Sequence, residues 1–240
     1  MLMHEDRQEF YKERYSGSLF LIKAGGRVIT DPAARTDLLN TIKDLVSANI
    51  RVLLIFGGGQ AIDEELAAHN ITPRKQNGRR ITDQDTIKLV KKVLCSDLCF
   101  RVSQTMAEIG LKGLCLNHIP ADWADIELRE RDDPKDYGYD GTIKKVYPST
   151  IYTLMNAMPF IACPCLGVSE KTAININADN VAVGLAAGCQ FRKLVFLSDV
   201  DGVQIDGEIA SIITDKQIPQ LIKDGVVTGG MQVKLESCLY

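Results

Sequence analysis

LFLIKAGG (residues 19–26) and RVLLIFGGG (residues 51–59) are the two stretches on which the fold turns. Each is a continuous apolar run that ends in glycine. A strand with one wet face alternates apolar and polar residues, so unbroken runs of this length read as strands buried on both faces. Between them, Leu38, Leu39, Ile42, Leu45 and Val46 fall at i, i+1, i+4, i+7 and i+8, the spacing of a helix over residues 34–49 with one buried face. Asp31-Pro32 supplies a start signal for it. A further helix is expected over residues 60–69. Strand, glycine loop, helix, repeated once, is the grammar of a parallel sheet covered by helices.

Outward from this unit, Asn77-Gly78 inside residues 71–82 signals a hairpin. Residues 83–109 have a helical pattern and residues 114–118 are strand-like. Residues 120–141 are polar and read as loops and short hairpins. A helix over 149–156 precedes a buried strand at 160–163. The second half repeats the opening: a helix over 178–188, a strand at 194–197, a turn at Asp201-Gly202, a helix over 215–223, and a last helix opened by Gly229-Gly230. Residues 3–15 form either a short amphipathic helix or a frayed tail. The expected class is α/β, a three-layer αβα sandwich with a mainly parallel central sheet.

Bulk composition narrows the function. The chain has 240 residues, 45% of them hydrophobic, enough for a sizeable core without staples. The net charge of −3 argues against nucleic acid or an anionic membrane as partner. Seven cysteines, an odd number mostly in apolar runs, read as reduced buried thiols. His4, His69 and His118 lack zinc-ligand spacing, so no metal site built by the protein is expected. The charged N-terminus has no signal-peptide core, and no apolar run approaches the roughly 18 residues of a membrane helix. A cytoplasmic protein is expected.

Five segments carry chemistry. Lys23 stands at a strand end beside Gly25 and Gly26, where backbone N–H groups can approach an anion and the ammonium adds a mobile charge. The alternative is a plain turn with a solvated lysine. Gly57, Gly58 and Gly59 cost conformational entropy, which makes sense where something comes close to the backbone and to the helix N-terminus that follows. Neither loop is a Walker A or a dinucleotide fingerprint. Asn175, Asn177 and Asp179 open a helix; one polar residue would suffice as its cap. Gly230 opens the last helix and Lys234 follows about one turn in, where a lysine near a positive helix end asks for an anion. Arg80 can grip a carboxylate with two parallel hydrogen bonds, or can belong to a surface basic cluster with Arg74, Lys75 and Arg79.

In this order, the segments Lys23–Gly26, Gly57–Gly59, Asn77–Thr82, Asn175–Asp179, Ser198–Gly202 and Gly229–Lys234 resemble the amino acid kinase family, and within it the N-acetylglutamate kinases most. The likeness covers about residues 19–240. It implies residues 1–18 as an N-terminal extension, a substrate lobe at about 19–165 and a nucleotide lobe at about 166–240, short at its C-terminal end. It also implies ATP-dependent phosphorylation of the side-chain carboxylate of N-acetyl-L-glutamate in arginine biosynthesis. Lys23 and Lys234 would neutralise the transferred phosphoryl group and Asp179 would hold them. Gly25, Gly26, Gly58 and Gly59 would donate N–H groups, with Gly230 on the phosphate side. Arg80, Asn175 and Asn177 would bind the substrate, and Ser198 and Asp199 the nucleotide. Mg2+ would arrive bound to ATP phosphates, and a homodimer or higher homo-oligomer is the family expectation. The family's usual histidine before the glycine triplet is Phe56 here. An alternative is a domain of this family that does not catalyse but binds arginine or acetylglutamate as a regulatory module. Another is a kinase of the same fold for a different acidic acyl substrate, favoured by a charged groove around Arg74, Lys75 and Arg79.

Overall fold

The computed structural model describes residues 4–76, 79–129, 137–169, 172–197, 200, 202–205, 207–237 and 239. The chain divides into two compact units, Met1–Leu197 and Ser198–Tyr240.

The first unit begins with α1 (His4–Tyr15), β1 (Leu19–Ala24), α2 (Gly26–Thr30), α3 (Pro32–Ser47), β2 (Arg51–Phe56) and α4 (Gly59–Ala68). The hairpin β3 (Lys75–Gln76) and β4 (Arg79–Arg80) follows, then α5 (Gln84–Lys91), a π-helical stretch (Lys92–Leu98) and α6 (Cys99–Ile109). After these come β5 (Leu114–Cys115), β6 (Ala124–Leu128), β7 (Asp140–Val146), α7 (Pro148–Ala157), β8 (Phe160–Pro164), β9 (Leu166–Ser169), β10 (Thr172–Ile176), α8 (Ala178–Gly188) and β11 (Lys193–Phe196).

Five of these strands make a wholly parallel sheet in the order β11-β1-β2-β8-β5. Lys23 is level with Ile55 and Phe196, so the glycine loops after β1 and β2 leave the sheet side by side. All of β1 and residues 52–56 are buried, as strands covered on both faces must be. Helices α3 and α6, which pack on each other, cover β2 and β8, while α7 and α8 cover β2 and β1. This is the expected three-layer α/β sandwich. Asp31 caps α3 by accepting from Ala34 N at 2.8 Å with Pro32 at the first helical position, so the helix starts where the sequence signal stands.

The region 120–141 departs from its expected loops. It contains β6 and the start of β7, part of a second, four-stranded sheet in the order β6-β7-β10-β9. The five residues of β6, Ala-Asp-Ile-Glu-Leu, do alternate apolar and polar, but the run is short, only Ala124 and Ile126 are buried, and a bulge between Asp125 and Ile126 breaks the register. The helical region 83–109 also differs, because a π-helical stretch interrupts it. Asp83 caps its first helix, accepting from Thr86 N at 2.9 Å. That backbone hydrogen bond, with the Arg74 partner, holds the Asp83 carboxyl below its ordinary range. A depressed native value means the stabilisation is present above the ordinary aspartate range and is lost as pH falls through the native one. Asp83→Ala is therefore expected to lower unfolding free energy by about 1 kcal/mol at pH 7. Urea denaturation should show the difference shrinking below about pH 4.

The six described cysteines are free thiols, and Cys95 and Cys115 are half-buried rather than buried. Burial pushes the Cys165 thiol up to about 12 and Cys163 well above the usual range, whereas a hydrogen bond from Cys99 lowers Cys115. Under native conditions an aromatic disulfide reagent should therefore label Cys115 first among these six and reach Cys163 and Cys165 only on unfolding, as read by peptide mapping.

The second unit carries the short hairpin β12 (Gln204–Ile205) and β13 (Glu208–Ile209), then α9 (Ile218–Lys223) and α10 (Gly229–Ser237), which pack on each other. Among the described residues no helix is long and apolar enough to cross a membrane.

Candidate active site

Strand β1 ends at Lys23 and Ala24, and the chain turns through Gly25 into α2. Lys23 is buried and its Nζ lies 2.7 Å from Asp179 Oδ1. Asp179 is fixed in the first turn of α8 because Asn177 caps that helix, its Oδ1 accepting from Asp179 N at 2.9 Å and from Asn180 N at 3.2 Å. The cap thus positions the acid that positions the lysine.

The two glycine loops touch backbone to backbone. A β-carbon on Gly26 would stand 2.9 Å from Gly59 N and 3.1 Å from Gly58 Cα. Gly58 is needed for a different reason: its β-carbon would meet Leu94 and Leu98 of the π-helical stretch at 2.9 Å. Of the glycines in these two loops, Gly25 and Gly59 have no atom within 4 Å of a built β-carbon. Open space therefore lies at the start of α2 and at the N-terminus of the ten-residue α4, whose unpaired N–H groups and dipole suit an anion.

Arg80, on β4, is buried and donates to Gly59 O at 3.1 Å. Its Nη1 lies 2.5 Å from Asp63 Oδ1 on α4, and Lys75 Nζ lies 2.6 Å from Asp63 Oδ2. Burial pushes the Asp63 carboxyl up, but the hydrogen bonds and charges of Lys75 and Arg80 together outweigh it and hold it below the ordinary value. Nothing in the residues around Arg80 signals that it already has a carboxylate partner. Asn175 is buried on β10, with Nδ2 3.3 Å from Thr82 Oγ1. Backbone bonds from Tyr139 N to Thr82 O at 2.7 Å and from Asn175 N to Tyr139 O at 2.9 Å knit the hairpin, β7 and β10 into one wall.

Lys23, Gly25, Gly26, Gly58, Gly59, Arg80, Asn175, Asn177 and Asp179 line a single cavity of about 260 Å3. Lys75, Arg79 and Asp140 line it too. Asp140 is a residue that sequence reasoning missed, because it sits in the polar stretch that read as loop. For Lys75 and Arg79 the sequence leaves open a surface basic cluster or a charged groove, and both residues line this cavity.

The other expected site residues are Ser198, Asp199, Gly230 and Lys234. Ser198 and Asp199 lie outside the described residues. Gly230 and Lys234 belong to α10 of the second unit. Lys234 occupies the last turn of α10, where a cation is favoured by the helix macrodipole. The expectation of a lysine strained against a positive helix end is corrected by this placement.

The cavity at the C-terminal ends of parallel strands, walled by glycine loops, defines a carbamate-kinase-like α/β protein. Carbamate kinase of Giardia lamblia bound to AMP-PNP has the same fold, with a TM-score of 0.64 and 18% identity over 93% of this chain and 88% of that one. The chain belongs to the amino acid kinase family, whose model matches residues 18–240. It is 30% identical to the acetylglutamate kinase of Clostridium beijerinckii, over 100% of this chain and 87% of the relative. It is also similar to the smu.665 protein of Streptococcus mutans UA159, at a TM-score of 0.77 and 27% identity, covering 92% of this chain and 89% of that one.

Proposed function

We propose that this protein transfers the γ-phosphoryl group of ATP to a substrate carboxylate, with N-acetyl-L-glutamate as the acceptor that the sequence likeness favours and arginine biosynthesis as the setting. The observation that carries the reading is the buried Lys23–Asp179 pair at the mouth of two touching glycine loops.

Phosphoryl transfer asks a protein for alignment and for positive charge around three equatorial oxygens. A carboxylate is already deprotonated, so the acceptor needs no general base. Lys23 would neutralise the migrating group from the substrate side, and Asp179 would hold its ammonium in place. Backbone N–H groups of Gly25, Gly26, Gly58 and Gly59 would bind phosphoryl oxygens and acceptor, helped by the α4 N-terminus. Arg80 and Asn175 would bind the acceptor's second carboxylate, and Asn177 would act through its cap. For Arg80 this means that the substrate joins or displaces Asp63. Lys234 and Gly230 would serve the phosphoryl group from the nucleotide side, where Ser198 and Asp199 also belong. Among the described residues no group of three or more His, Cys, Asp or Glu side chains could hold a metal ion. Mg2+ would arrive on the ATP phosphates, where it would screen their charge. In this reading residues 1–18 are an extension, 19–165 the substrate lobe and 166–240 the nucleotide lobe of a cytoplasmic homo-oligomer.

The test is ADP release and hydroxamate formation, with hydroxylamine trapping the acyl phosphate, over a panel of carboxylates. Acyl phosphate from a glutamate-type acceptor supports the proposal. Tight arginine binding with no turnover on any acceptor would replace it with the regulatory module.

A further inference from the structure

The cavity holds an ion pair that carboxylate phosphorylation by itself does not call for. Asp140 is 2% exposed and lines the cavity beside Arg79, whose Nη1 is 3.7 Å from Asp140 Oδ2. Arg129 Nε approaches the same oxygen at 3.3 Å. The reaction already has its cation in Lys23 and its carboxylate grip in Arg80. An acetyl cap ends in a methyl group, which binds best against apolar side chains. The apolar lining consists of Ile62, Cys165, Ile176 and Ala178, whereas Arg79 and Asp140 present a guanidinium and a carboxylate. Setting a methyl group on such a pair takes the remaining solvent from the Arg79 guanidinium and returns no hydrogen bond.

We infer that Arg79 and Asp140 determine acceptor specificity by reading a polar, ionised nitrogen end, so that an acceptor with a free α-ammonium is preferred to its N-acetyl form. Asp140 accepts from the ammonium, since an ionised carboxylate offers acceptors only, and Arg79 donates to the adjoining carboxylate. Burial raises the Asp140 carboxyl above its ordinary value against the pull of both arginines. The inference rests on the phosphotransferase reading and revises which acceptor that reaction prefers.

The test uses the full chain with Mg2+ and a non-hydrolysable ATP analogue. Binding of L-glutamate and N-acetyl-L-glutamate is measured by calorimetry, beside ADP release from the same acceptors with ATP. The wild type should bind L-glutamate roughly tenfold or more tighter than N-acetyl-L-glutamate. The paired variant Arg79→Met/Asp140→Leu, which removes both members of the pair and leaves only the part-exposed Arg129 without its carboxylate, should reverse that order. Asp140→Asn keeps the volume of the side chain and should shrink the ratio, which covers the case in which the paired variant does not fold. N-acetyl-L-glutamate binding as tightly as L-glutamate in the wild type, or a ratio unchanged in whichever variants fold, overturns the inference. Because binding is read apart from turnover, an acceptor that binds but is never phosphorylated counts against the phosphotransferase reading alone.

Discussion

Lys23→Ala is expected to lower acyl phosphate formation by about 10³-fold, the scale seen when a preorganised charge is removed from a phosphoryl or oxyanion site. The loss should fall on kcat more than on acceptor KM, because the ammonium matters most where charge develops. The same change leaves Asp179 without its lysine, and the two side chains are only 11% and 17% exposed. Breaking such a pair by one partner costs about 3 kcal/mol, so the melting temperature should fall as well. Lys23→Met/Asp179→Leu separates the two effects. Replacing both members with apolar groups of similar volume restores most of the stability, yet activity should stay as low as in the single variant. Recovery of turnover in the double variant would remove Lys23 from the chemistry.

Gly26→Ala is the second large effect. The atoms a methyl group would meet are backbone, Gly59 N at 2.9 Å and Gly58 C and Cα at 3.1 Å, so no rotamer change can relieve the clash. The loops must separate, at a cost of about 2 kcal/mol in unfolding free energy. Their N–H groups then lose the alignment that phosphoryl transfer needs, and turnover should fall by roughly 10²-fold. Gly25→Ala is the matched control. Its β-carbon meets nothing within 4 Å and its φ of −68° suits any residue. Stability should change by less than about 1 kcal/mol, while the added methyl group hinders whatever lies along that loop. Equal destabilisation by both substitutions, read by urea denaturation, would deny that the loops are in contact.

Phe56 shows how a departure from a family pattern resolves in the fold. It is fully buried at the end of β2, level with Ala24 and Pro164. The side chain finishes the hydrophobic strand and does not line the cavity. Gly58 shows the converse. Its triplet suggested ligand approach, yet the group that crowds it is leucine from the π-helical stretch.

What the sequence determined by itself was the set of features written within a few residues: two buried parallel strands, the glycine loops that end them, the Asp31 cap and the acid-opened helix behind Lys23. Each rests on a local cause, whether periodicity, backbone freedom or a capping hydrogen bond, and local causes survive without knowledge of the rest of the chain. The tertiary structure decided the pairings: Lys23 with Asp179, Arg80 with Asp63, Arg79 with Asp140, and the sheet formed by β6, β7, β10 and β9. A charged residue in a polar stretch looks the same whether it ends in solvent or against an opposite charge brought from a distant strand. Only the folded backbone, by excluding water from both, settles which it is.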